Sequence, residues 1–452
     1  MNRRRRFAQV GLGGRHVMYR DAVVNDFAGT CEMVALCDSN SGRLALSIEQ
    51  IKQKFNQNVS GYLADDFDRM VKETKPDTII VTTKDSLHDQ YICRAMELGC
   101  DVVSEKPMTI DAVRCQKILD TQRATGKSVR VTFNYRYSPP RAQVKDLLMS
   151  GVIGDILSVD FHWMLDIHHG ADYFRRWHRN KENSGGLLVH KATHHFDLVN
   201  WWLGTVPETV YASGHRHFYT PETAKRYGLK HPGPRCHGCA EAEKCRFCLN
   251  MENTGSMKEL YLDCEKHDGY FRDMCVFSPK IDIEDNMNVV VSYRNGVKMS
   301  YSLNAFMPWE GYHISFNGTR GRLEHKCEES VYVSGDDSVQ GALKKEGTWT
   351  KIYPHWKPSY GVDVWAGEGG HGGGDELLLK NVLVSDNVPD KYMRAADHRA
   401  GAWSILTGVA ANHSIKTGLP VRVVDLVSGL DEPNYAPMPT SDEPLTMVLG
   451  NT

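Results

Sequence analysis

Phe7-Ala8-Gln9-Val10-Gly11-Leu12-Gly13-Gly14-Arg15-His16 reads as a short apolar strand that runs into a glycine turn and on into a helix. Glycines in that setting let backbone N–H groups approach a pyrophosphate at the helix N-terminus. His16 stands where the third glycine of the fingerprint is expected, so the helix cannot pack on the strand in the usual way. Asp38 closes a second apolar run about twenty-five residues further on, where a carboxylate takes the ribose hydroxyls and repels a 2′-phosphate. That favours NAD over NADP, while Arg43 nearby pulls the other way. Gly11, Leu12, Gly13, Gly14, Arg15, His16, Asp38, Ser39 and Arg43 are the first candidate cofactor residues.

Working outward, residues 7–11, 33–38, 78–82, 101–104 and 129–133 are short β-branched runs separated by helical patterns such as 41–55 and 88–98. Strands alternating with helices in this way predict a doubly wound parallel sheet over residues 1–137. After Pro139-Pro140 a helix (141–150) leads to longer strands at 156–164, 209–217, 288–293, 298–305 and 312–318. These predict a second α/β domain over 138–452 with a large, mostly antiparallel sheet covered by helices on one face. Two stretches read as irregular insertions, a Cys-rich one at about 219–282 and an aromatic one at about 328–374. A late helix at about 395–417 is closed by Gly418-Leu419-Pro420.

In open parallel sheets, ligands sit outside the carboxyl ends of the strands. That places Thr82-Thr83-Lys84-Asp85-Ser86-Leu87-His88 and Ser104-Glu105-Lys106-Pro107 near the redox end of the cofactor, with Thr82, Thr83, His88, Glu105 and Lys106 as candidates. A lysine held there acts on the proton of a hydroxyl that gives up hydride, so a redox enzyme is the leading reading.

The order and spacing of these elements, with Asn134-Tyr135-Arg136-Tyr137 and the helix containing His194 and Asp197, resemble the Gfo/Idh/MocA family. The resemblance implies an N-terminal Rossmann domain and a C-terminal α/β domain whose open sheet often mediates dimers or tetramers. It implies that Lys106 contacts both cofactor and substrate, and it adds Asn134 to the cofactor residues. The family's second signature, Asp-x-Gly-x-His-x-x-Asp, falls on His190, Ala192, His194 and Asp197, so the first acid is replaced and Lys191 stands beside it.

Hydride removal from a carbinol needs a base for the hydroxyl proton, and imidazole titrates near working pH. His194 is the expected base, and Lys106 the group that holds the oxygen. Tyr173, Arg176 and Trp177, the neighbours His190, Lys191 and His195, and His371 in the glycine-rich His371-Gly372-Gly373-Gly374 are expected to bind substrate. Aromatic faces beside hydroxyl-binding groups suit a sugar.

Cys236-x2-Cys239-x5-Cys245-x2-Cys248 has the look of a closed thiolate site for structural zinc, an iron–sulfur cluster being the alternative. By resemblance, Cys275 in Cys275-Val276-Phe277 is the fourth ligand and Cys248 its alternative. The remaining cysteines lie singly in apolar contexts, as in a reducing compartment. A net charge of −2 argues against nucleic acid or acidic membranes as partners. Arg3 to Arg6 lack a following apolar core, so they do not make a signal peptide, and a cytoplasmic protein is expected. Three functions compete: an NAD-dependent sugar or glycoside oxidoreductase, a redox glycosidase working through a transient 3-keto intermediate, and a non-catalytic NAD-binding regulator.

Overall fold

The computed structural model describes residues 3–384, 389–440 and 445. Six strands form the first sheet: β1 (Arg5–Val10), β2 (Cys31–Asp38), β3 (Ser60–Leu63), β4 (Thr78–Val81), β5 (Asp101–Ser104) and β6 (Val129–Val131). They pair in parallel in the order β3-β2-β1-β4-β5-β6. This is the doubly wound dinucleotide-binding order. Both faces carry helices, so β4 is buried at every position, and a continuous apolar run replaces alternation. The helix Ser41–Phe55 is capped by Asn40, whose side chain accepts from the Arg43 amide, and stops at Asn56 in the left-handed region. The carboxyl ends of β1, β2, β4 and β5 open onto Gly11, Asp38, Thr82 and Glu105 along one edge.

Nine strands form the second sheet: β7 (Ile156–Asp166), β8 (Pro207–His215), β9 (Asn286–Tyr293), β10 (Lys298–Met307), β11 (Glu310–Gly318), β12 (Gly321–Glu329), β13 (Trp349–Pro354), β14 (Tyr360–Val362) and β15 (Val421–Arg422). Their order is β14-β13-β12-β11-β7-β10-β9-β8-β15, antiparallel throughout except for β7 with β10. One face packs on the helices Ala192–Leu203 and His398–Thr417, which bury Trp201, Trp202 and Trp403 completely. The late helix begins three residues inside its expected limit, because Asp397 caps it by accepting from the Arg399 and Ala400 amides. The stretch expected as an irregular aromatic insertion is corrected: β13 and β14 lie in it and extend the sheet edge beyond β12. Among the described residues no helix is long and apolar enough to cross a membrane.

The Cys-rich insertion is built of turns and short helices around a small core of Met251, Met257, Leu260 and Tyr261. Its far end, Cys264–Tyr270, lies against the start of the helix Ser41–Phe55. Asn40 Nδ2 donates to Cys264 O at 2.9 Å, and the Ser41 hydroxyl lies 2.9 Å from His267 Nδ1.

Candidate active site

A cavity of about 400 Å³ runs from the carboxyl edge of the first sheet to the helix-covered face of the second. Gly11 starts it. Its φ is +90°, and a Cβ there would lie 2.6 Å from the Thr83 backbone, so the residue must be glycine. A Cβ on Gly13 would meet nothing within 4 Å, which leaves the open space a pyrophosphate needs. Asp38 is fixed by two amides, Leu12 N at 2.5 Å and Asn40 N at 2.6 Å. Thr82 Oγ1 donates to Gly11 O at 2.6 Å, which ties the β4 loop to the turn. Leu12, Gly14, Arg15, Ser39, Arg43 and Thr83 also line the cavity, and the Gly14 amide donates to Tyr261 Oη of the insertion at 3.0 Å. These features fit a dinucleotide.

His16 is a correction. It lies behind the turn and outside the cavity, with Nδ1 2.6 Å from Gly13 O and Nε2 2.9 Å from Ser47 Oγ. Burial first, then the Arg20 charge, lowers its pKa to about 3. A neutral ring thus fills the place of the missing glycine and braces the turn from below.

Glu105 is a hub rather than a ligand hook. Its Oε1 accepts from Arg15 Nε at 2.6 Å and Tyr19 Oη at 2.8 Å, and its Oε2 from the Lys106 amide at 3.1 Å. Burial would push its carboxyl up, but Arg15 and Lys106 outweigh that and hold it below the usual carboxylate range. His88 bridges the two loops, with Nδ1 2.8 Å from Pro107 O and Nε2 3.1 Å from Thr83 O. Lys106 Nζ lies 3.3 Å from His190 O; burial above all, with help from Lys191 and Arg15, brings its pKa down to about 8.

His194 reaches the same cavity from the second domain, at the start of the helix Ala192–Leu203. Its ring stacks on Tyr135 at 4.5 Å, and its Nδ1 has no hydrogen-bond partner despite full burial. Burial, then the Lys106 charge, lowers its pKa and keeps the ring neutral. Three helix positions on, Asp197 forms a buried two-point pair with Arg136 at 2.6 and 2.8 Å, which locks this helix to the Asn134–Tyr137 turn. Asn134 donates to Asp375 Oδ1 at 2.7 Å, while its own buried Oδ1 is unsatisfied beside the cavity.

Of the candidate substrate residues, Tyr173, Arg176, Trp177, His190 and His371 line the cavity. His195 and Lys191 do not, which corrects both. His195 turns into the core, stacking on Trp163 at 4.1 Å with Nδ1 2.7 Å from Tyr301 Oη. Lys191 sits over the Trp163 ring and pairs with Glu310 at 3.5 Å. The helix turns about 100° per residue, so His194 and His195 cannot both face one pocket.

Further residues join those of the candidate site at the cavity. Asp85 Oδ2 lies 2.5 Å from His190 Nδ1, bringing a carboxyl group from the β4 loop, its pKa pushed well up by burial, beside the residue that stands where the family signature has its first acid. Tyr173 Oη is 3.1 Å from His169 Nε2, whose Nδ1 is 3.1 Å from Glu310. Tyr261, Asp268 and Tyr270 come from the insertion. Asp85 lies in a loop already singled out by its position after β4; the insertion residues carry no periodic signal.

Cys236, Cys239, Cys245, Cys248 and Cys275 line a second, small cavity within the insertion. Both Cys-x2-Cys steps are tight turns, Cys239 N donating to Cys236 O and Cys248 N to Cys245 O, each at 3.0 Å. The sulfurs share the cavity without closing on a centre: among the described residues no group of three or more His, Cys, Asp or Glu is arranged to hold a metal ion.

Fold and cavity together define an oxidoreductase built on a dinucleotide-binding domain. Residues 5–133 match the model described as "Oxidoreductase family, NAD-binding Rossmann fold", and residues 145–423 the one described as "Oxidoreductase family, C-terminal alpha/beta domain". The chain belongs to the Gfo/Idh/MocA oxidoreductase family. It is 34% identical to YteT of Bacillus subtilis (strain 168), described as an oxidoreductase without a named substrate, over 92% of this chain and 97% of that protein. It is 27% identical to D-glucoside 3-dehydrogenase of Escherichia coli (strain K12) over 38% of this chain and 47% of that protein. It is 26% identical to a glycosyl hydrolase family 109 protein of Akkermansia muciniphila over 41% of this chain and 40% of that protein. The aldose-aldose oxidoreductase of Caulobacter crescentus shares the fold with a TM-score of 0.60 at 15% identity, over 93% of this chain and 100% of that one.

Proposed function

We propose that the protein oxidises a hydroxyl of a sugar, sugar derivative or glycoside with NAD as the hydride acceptor. The observation that carries this reading is that Lys106 and His194, from different domains, face one cavity with the glycine turn and Asp38. A bound NAD would supply the hydride acceptor for the carbinol carbon. The chain supplies the rest. His194 accepts the hydroxyl proton on an imidazole nitrogen, and burial keeps that nitrogen free to do so. The Lys106 ammonium holds the oxygen and stabilises its negative charge as the proton leaves. Tyr173, Trp177 and Arg176 offer a ring face and donors for the neighbouring hydroxyls, and His371 lines the same cavity.

A second reading is a redox glycosidase, in which oxidation acidifies the neighbouring C–H, that proton is removed, the aglycone leaves, water adds and hydride returns. The Asp85–His190 pair supports it, because a longer sequence needs a second acid–base couple. The glycosyl hydrolase relative points the same way. Incubating the protein with NAD, sugars and nitrophenyl glycosides separates the readings. NADH formation supports the dehydrogenase; phenol released without net NADH supports the glycosidase. Bound NAD with neither product would leave a regulatory protein.

For the insertion we propose a structural zinc on Cys236, Cys239, Cys245 and Cys275, with Cys248 as the alternative fourth ligand. The support is five thiols on one small cavity, two of the pairs in tight Cys-x2-Cys turns. Elemental analysis of the purified chain tests it, and a metal-free protein with an ordered insertion refutes it. We further propose a dimer or tetramer formed through the open face of the nine-stranded sheet, which light scattering would refute by finding a monomer.

A further inference from the structure

Arg43 is the cation beside Asp38 that a 2′-phosphate on the adenosine ribose would call on. It is already engaged. A single nitrogen, Nη2, serves two carboxylates: Asp38 Oδ1 at 3.5 Å and, in a closer contact, Asp268 Oδ2. Asp38 comes with the Rossmann strand, whereas Asp268 arrives from the Cys-rich insertion of the other domain. Asp268 is itself held in place, since its Oδ1 accepts from the Tyr270 amide at 3.1 Å. The segment around it closes over the first turn of the helix Ser41–Phe55. A Cβ on Gly42 would lie 2.6 Å from the His267 ring, so the two surfaces are in direct contact.

We propose that Asp268 sets the choice between NAD and NADP, by drawing the Arg43 guanidinium out of reach of a 2′-phosphate and by placing a second negative charge where that phosphate would sit. The inference rests on the reading that the cavity takes a nicotinamide dinucleotide, and it names a residue outside the Rossmann domain as the discriminator. Two carboxylates on one guanidinium leave the spot with a net negative charge, and a phosphate dianion adds repulsion from both. With only Asp38 present the same spot is neutral, and the arginine is free to turn.

The test is the ratio of NADP to NAD affinity, measured by titration calorimetry of the full-length protein. The wild type should favour NAD. The Asp268 side chain is 19% exposed, so the isosteric amide of Asp268→Asn is accommodated. This variant should move the ratio toward NADP by about tenfold, the size of one charge removed from a partly screened site. Adding Arg43→Ala to Asp268→Asn should cancel the gain, because the gain passes through the guanidinium. An unchanged ratio in Asp268→Asn, with NAD still bound, overturns the inference alone. So does a gain that survives loss of Arg43, or a wild type that prefers NADP. Binding of neither dinucleotide by the wild type overturns the cofactor reading and this inference with it.

Discussion

At the scale of single residues, the paired environments of Lys106 and His194 fix what a pH profile should look like. Burial lowers both pKa values, with opposite consequences. For His194 the useful form is neutral, so lowering extends the active range below the ordinary imidazole value. For Lys106 the useful form is charged, so lowering to about 8 cuts the active range on the basic side. The profile of kcat/KM should therefore stay level through neutral pH and fall above about 8. Lys106→Arg should remove that basic limb, since a guanidinium stays charged, at a reduced plateau because its fork does not reproduce an ammonium. A basic limb unmoved in Lys106→Arg would take the ammonium out of the mechanism. Gly11→Ala tests the other half of the cavity: a methyl 2.6 Å from the Thr83 backbone at a φ of +90° should cost more than about 1 kcal/mol and abolish NAD binding. Dinucleotide titration and chemical denaturation of the same sample check both.

At the scale of elements, the site depends on how the helix Ala192–Leu203 is anchored. Asp197 and Arg136 are each about 1% exposed and bind each other at two points, so loss of one strands the other's charge. Asp197→Ala should destabilise the protein by about 3–5 kcal/mol and displace His194 with its helix, whereas Asp197→Asn should cost less. Urea unfolding followed by tryptophan fluorescence reads this directly, because Trp201 and Trp202 lie on that helix. An element buried at every position, such as β4, is legible in the sequence because burial on both faces leaves no alternating pattern. Gly321–Glu329 is not, although its burial alternates perfectly. Its inward positions include His325, whose Nδ1 lies 2.8 Å from Thr350 Oγ1, and Cys327, so hydropathy hides the period. In the site, the residues on strand ends and in the family signature could be placed in advance. The facing of His194 against His195 could not, because it is set by stacking on Tyr135 and Trp163 from distant segments.

At the scale of the whole molecule, the cavity is closed by three parts of the chain that meet only on folding: the Rossmann edge, the helix-covered face of the second sheet, and the Cys-rich insertion. The insertion has a small apolar core of its own, so something else must hold its shape. Ion pairs account for part of it, Arg235 joining Asp273 at 2.7 Å and Glu265 at 2.5 Å, and the cysteine cavity lies directly beside that cluster. Glu265 opens the short helix that ends on Asp268, so strain or loosening at the cysteines travels a few residues to the cofactor end. Cys236→Ser combined with Cys239→Ser should therefore abolish binding of the proposed zinc, open the 219–282 stretch to protease and weaken NAD binding by about tenfold or more, a cost of ~1.4 kcal/mol. The two sheets should keep their cooperative unfolding, since none of their strands lies in that stretch. Metal content, limited proteolysis and dinucleotide titration on one preparation read the three effects separately. If NAD affinity holds while metal and protease resistance are lost, the insertion is a separate appendage and Tyr261 and Asp268 do not shape the cofactor site. If all three fall together, cofactor affinity in this chain is governed from outside the domain that binds it.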